Sequence, residues 1–119
     1  MRNPDAEEFF KRRYARDEVG TLFIGSLRAL EDYELRGDLR IFRAPYAVAN
    51  EIVFGGASSM NVIYYRVDAT ERRIALATGG EAAELGDDWV KFLLFRPDRP
   101  RPELARWALA AYRFAREVP

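Results

Sequence analysis

Three short apolar runs set between Glu51 and Thr78 constrain this chain more than any other feature of it. Glu51-Ile52-Val53-Phe54 is followed by the loop Gly55-Gly56-Ala57-Ser58-Ser59, by a β-prone run from Met60 to Val67, and by Arg73 to Thr78. Asp68-Ala69-Thr70-Glu71 has the polarity and length of a turn between neighbouring strands, and Gly79-Gly80 closes the third run. The pattern predicts an antiparallel meander, and a sheet of this kind needs helices to cover its apolar face.

The flanks supply those helices. Asn3-Pro4-Asp5 reads as a helix start, with an N-cap acceptor, a Pro where no N–H is needed and acids facing the positive end of the dipole. The helix is expected to run to about Asp17, with Phe10 and Tyr14 on its apolar face and Glu7–Lys11 and Glu8–Arg12 as solvent-side pairs. Thr21-Leu22-Phe23-Ile24 reads as a short strand, and Ser26 as the cap of a second helix through Leu27, Leu30 and Leu35 to Gly37. Leu39 to Phe42 alternates weakly before Pro45 and reads as a short strand or irregular segment. Asp88 to Phe95 fits either a strand or a short helix capped by Asp87, and the cap favours the helix.

Residues 96–102, with Pro97, Pro100 and Pro102 among charges, form a stiff connector into a C-terminal helix over 102–117. That helix is apolar around most of its circumference, through Leu104, Trp107, Ala108, Leu109, Ala111, Tyr112 and Phe114. Such a helix is buried either in its own core or on a second chain, and the core is the favoured seat. The expected fold is therefore α+β: a curved antiparallel sheet of about four to six strands flanked by an N-terminal, a short and a C-terminal helix. A chain of 119 residues, 49% hydrophobic, has the size and core-forming content of one domain spanning 1–119.

Charge and missing residue types narrow the function. The 19 basic and 19 acidic residues balance, which removes the positive field of a general nucleic-acid or membrane binder. Lys11 and Lys91 are the only lysines, and the arginine excess beside interspersed acids fits the codon usage of a GC-rich genome better than a phosphate-binding array. Without His or Cys the chain has no Ser-His-Asp arrangement, no thiolate metal site and no disulfide. No run approaches the about 18 apolar residues of a membrane span. The expectation is a cytoplasmic protein, without cofactor, that is not an enzyme.

Some local features still invite chemistry. Ser58 and Ser59 look like nucleophiles, but nothing at a recognisable spacing activates them. Gly55 to Ser59 resembles a phosphate cradle only loosely, since it lacks the Gly-Lys-Ser/Thr ending and leads into a strand. Glu31-Asp32 and Asp87-Asp88 lack the ligand alternation of a calcium loop. Glu81, Glu84, Asp87 and Asp88 place four acids in eight residues, a pattern that suits a basic protein partner, though a solvated loop has the same composition.

The order of these features resembles the SUKH superfamily. Pro4-Asp5-Ala6-Glu7-Glu8-Phe9-Phe10 with Tyr14 is similar to that family's Pro-acid opening and aromatic-rich helix, and Leu22-Phe23-Ile24 with Ser26 to Glu31 resembles its short strand and following helix. Glu51 to Ser59 with Val62 to Asp68 resembles its central "v.FGs.g.g..y.fD" pattern, and Glu84 to Leu93 its closing "ladsFeeFl" segment. Departures are the Gly-rich loop without Asp or Asn, Arg16 to Gly20 in place of Asn-Gly, and the added C-terminal helix.

The resemblance implies a bacterial immunity protein that neutralises a toxin by binding it, with no catalytic residue. Its contacts are expected at Glu81, Glu84, Asp87 and Asp88, against a basic toxin domain, and at the loop residues Gly56, Ser58 and Ser59. The chain is expected as a monomer or homodimer, with neither membrane nor nucleic acid as partner. Competing readings are a dimeric secretion-type chaperone or adaptor holding a client segment, and a metal-dependent phosphodiesterase built from the carboxylates.

Overall fold

A computed structural model of the chain describes residues 3–37 and 43–117. Four helices, α1 (Pro4–Lys11), α2 (Asp17–Ser26), α3 (Ala69–Ala77) and α4 (Leu104–Glu117), accompany six strands. The strands are β1 (Glu34–Arg36), β2 (Tyr46–Ala49), β3 (Ile52–Ser58), β4 (Val62–Arg66), β5 (Glu81–Ala82) and β6 (Trp89–Leu93). They form one open antiparallel sheet in the order β1-β2-β3-β4-β6-β5, as the α+β expectation required. The two edge strands are the shortest, which limits the unpaired backbone offered to other chains. Leu39 to Phe42 lie outside the described residues.

The centre of the sheet turns on a pair of residues whose composition suggests a loop. Gly55 and Gly56 lie inside β3, and successive strand residues point to opposite faces. A Cβ on Gly56 would sit 2.5 Å from the Phe10 ring of α1, while one on Gly55 would sit 3.1 Å from Phe23 of α2 and from Tyr65. Each glycine is thus the seat of an aromatic ring, one per face. On the α1 face Phe10 packs against Tyr46, Tyr64 and Trp89. On the opposite face Phe23 meets Tyr65, Tyr65 meets Phe92, and Phe92 meets Trp107 of α4. Opposite Ala47 and Val48 the register slips by one residue, leaving Phe54 as a bulge whose ring meets Tyr112 of α4.

The expected elements need four corrections. First, α1 stops at Lys11: the chain leaves the helix so that Tyr14 bridges Arg43 and the buried Ala15 bridges Ser59, and Tyr14 is therefore exposed. The two solvent-side pairs on α1 do form, at 3.6 and 3.7 Å. Asn3 directs its side chain to the Val53 N–H and C=O, both at 2.8 Å, instead of capping α1.

Second, Thr21 to Ile24 belong to α2, because Val19, Phe23 and Leu27 are buried at helical spacing. Ser26 caps nothing, and its hydroxyl donates to the Phe23 carbonyl while sharing a 2.8 Å bond with the Tyr65 hydroxyl. Leu35 falls in β1 and not in a helix.

Third, Arg73 to Ala77 are helical: Asp68, expected in a turn, caps α3 by accepting from the Glu71 N–H at 2.8 Å. Fourth, Trp89 to Leu93 form a strand, since Val90 pairs with Tyr65 and Phe92 with Ile63 in the middle of the sheet. The C-terminal helix lies where expected, with Trp107, Ala108, Ala111 and Ala115 buried on the chain's own core.

Candidate functional site

Neighbouring backbone segments at the end of the sheet where β3 turns into β4 carry three exposed large apolar side chains. Tyr14, Met60 and Phe95 are 58%, 53% and 45% exposed, well above what burial elsewhere in so aromatic a core would allow. Backbone bonds hold the three segments side by side. The Ser59 N–H donates to the Tyr14 carbonyl at 2.6 Å and Arg16 returns a bond to the Ser59 carbonyl at 2.9 Å. On the other side the Leu94 N–H donates to the Asn61 carbonyl at 2.7 Å, which ties the segment carrying Phe95 to the one carrying Met60.

The backbone here is strained. Ser59 and Phe95 adopt φ of 63° and 60°, a left-handed conformation costly for any residue with a side chain and most of all for an aromatic one. Strain of this kind survives where surrounding bonds over-determine it. Cations nearby are largely matched, with Arg16 3.4 Å from Glu18 and Arg96 3.4 Å from Asp98. Exposed apolar side chains on segments held in this way are suited to burial against a partner.

The four acids singled out from sequence lie elsewhere, on the edge strand β5 and in the segment that leads from it into β6. They do not act as one cluster. Asp88 accepts from the Arg66 Nε at 2.7 Å, and that guanidinium also lies 4.4 Å over the Phe114 ring. Glu84 is 3.8 Å from Lys91; burial pushes its carboxyl up, but its own backbone N–H, the Tyr64 hydroxyl and the charges of Lys91 and Arg13 hold it below the usual value. Among the described residues, Glu81 and Asp87 enter no ion pair, so they carry the field of this edge.

Gly56 and Ser58 are buried in β3, so neither is a free loop contact; Ser59 alone of that set reaches the exposed end, through its strained backbone. The Ser58 hydroxyl lies 3.2 Å from that of Ser59 and bonds to no carboxylate among the described residues. Tyr14, Met60 and Phe95 were not singled out from sequence, because each reads as one more core position. The available signal was large apolar residues beside chain breaks: Met60 after Ser58-Ser59, Phe95 before Arg96-Pro97.

Among the described residues no three acidic side chains converge as a metal site, and no helix is long and apolar enough to cross a membrane. No family model matches the chain, and no curated protein or solved structure matches it either.

Proposed function

We propose that this chain is a non-catalytic protein-binding domain, an immunity protein of the SUKH-like kind that neutralises a bacterial toxin by covering part of its surface. The observation that carries this reading is the exposed trio Tyr14, Met60 and Phe95 on adjacent, hydrogen-bonded backbones. Aromatic residues and Met are the side chains enriched in protein interfaces, and a rigid backbone lowers the entropy lost on docking. The SUKH resemblance of Pro4 to Tyr14 and Glu51 to Asp68 supports the same role. Glu81 and Asp87 add a negative edge that favours encounter with a basic partner. On this reading the domain acts in the cytoplasm of the cell that makes the toxin.

The test uses the purified product of the reading frame immediately upstream. Wild-type chain is expected to bind it and to block its toxicity on co-expression. Met60→Glu and Phe95→Asp should each weaken binding by about 2 kcal/mol, or about 30-fold, with the melting temperature kept. Glu81→Lys with Asp87→Lys should mainly slow association. Full protection by the Met60→Glu/Phe95→Asp double variant would remove the tip from the interface, and no protection by wild type would remove the immunity role.

A further inference from the structure

The β1 edge of the sheet is held differently from the rest of it. Of its three residues Glu34 and Leu35 are exposed, Leu35 at 40%, and Arg36 is partly buried, so β1 adds little apolar surface to the core. Its neighbour β2 is buried along its whole length. Backbone pairing and one side chain therefore do most of the holding. The Arg36 guanidinium donates to Glu7 of α1, and to Glu34 at 3.0 Å. Glu7 also accepts from the Tyr46 hydroxyl at 3.3 Å and lies 3.6 Å from Lys11.

The register identifies the backbone groups that β1 covers. The Ala57 N–H donates to the Pro45 carbonyl at 3.0 Å, so Pro45 faces β3. Successive residues of an antiparallel strand direct their N–H and C=O groups to opposite neighbours, which turns Ala47 to β3 and Tyr46 and Val48 to β1. There Tyr46 is paired with Arg36 and Val48 with Glu34. Two residues in the left-handed region bracket β1, Asp32 at φ 56° before it and Gly37 at φ 98° after it. Backbone changes concentrated at such element-terminal positions let a short segment swing while its surroundings stay packed.

We infer that β1 is a strap, latched to α1 by Arg36 and Glu7, that opens while the core stays folded and bares the backbone of Tyr46 and Val48. Segments with few buried apolar contacts are the ones that open locally. A bared β2 edge is a template for a strand from another chain, and the latched strap blocks it. β1 carries none of Tyr14, Met60 and Phe95, so the device is separate from the surface proposed for the protein partner.

The experiment follows amide hydrogen exchange in the full chain by NMR. Tyr46 and Val48 should be protected about tenfold less than Ala47 on the same strand, or weaker still, because their amides need only the strap to open. Glu7→Gln should speed exchange at both about fivefold by weakening the latch. Trp107→Phe, a change in the core on the face opposite α1, should speed Ile63 and Tyr65 and leave Tyr46 and Val48 at their wild-type rates, since the opened form keeps that core. Protection of Tyr46 and Val48 equal to that of Ala47, indifference of both to Glu7→Gln, or equal acceleration of all four amides by Trp107→Phe would each overturn the inference.

Discussion

Gly55 and Gly56 show how one missing atom can organise a whole layer. With Phe10 fully buried and seated on Gly56, a methyl group at 56 has no flexible neighbour to displace, because the atoms 2.5–2.8 Å away belong to the ring itself. Gly56→Ala is therefore expected to destabilise by about 2 kcal/mol, read as a lower urea midpoint with an unchanged slope. Gly55→Ala should cost less, since its contacts begin at 3.1 Å. If the mechanism is overpacking on Phe10, trimming that ring with Phe10→Leu should shrink the cost of Gly56→Ala, a coupling that only neighbours show. An equal cost in both backgrounds would contradict it. The same pair marks a limit of sequence reading: two glycines followed closely by two serines have the composition of a loop, and only the tertiary position of Phe10 and Phe23 reveals a strand.

At the scale of elements, what was legible were those whose local preference and long-range packing agree. The first helix start at Pro4, the Val62 to Arg66 strand and the largely apolar run from Leu104 carry unmistakable patterns, although the exposed face of that last run, with Leu109 36% exposed, shows only in the structure. Misread elements are those where the two conflict. Leu22-Phe23-Ile24 is β-prone locally, yet the spacing of Val19, Phe23 and Leu27, with Asp17-Glu18 in the first turn, was a helix signal that Gly20 and Gly25 obscured. Asp68 with Glu71 three residues on, before an Ala-rich run, was equally a helix start written in the sequence. Trp89 to Leu93 shows no apolar-polar alternation because both faces of the sheet are covered, and only pairing with β4 identifies it. The exposed tip was the least legible, since exposure of Met60 and Phe95 depends on where three distant segments meet.

The last helix permits a direct test at this scale. Trp107 is 4% exposed and touches Phe92 at the sheet, so Trp107→Ala should cost about 3–5 kcal/mol and lower the melting temperature sharply. A variant as stable as wild type would mean that α4 is not seated on this core.

For the molecule as a whole, the absence of His and Cys shapes how stability responds to pH. Glu7 on α1 meets Arg36 of β1, Tyr46 of β2 and Lys11; burial pushes its carboxyl up, but these partners together hold it below the ordinary value of 4.5. Glu84 is lowered in the same way, so both contribute stability that is present above about pH 4.5 and lost as pH falls through their depressed values. At the other limit burial raises Tyr46, Tyr64 and Tyr65 above the ordinary 10.0, with Glu7 or Glu84 adding to it for the first two. Their contribution is complete below pH 10 and declines as pH rises beyond it, because the unfolded chain ionises first. Between these limits no side chain has an ordinary pKa, so the urea midpoint should be level from about pH 5 to pH 9 and fall on both sides. Glu7→Gln with Glu84→Gln should flatten the acid limb and make the alkaline limb shallower without removing it, because Tyr46 and Tyr64 lose the carboxylates' share of their shifts while burial remains and fully buried Tyr65 has neither carboxylate as a partner. A sloping plateau, or an acid limb equally steep in the double variant, would show that other groups govern the response.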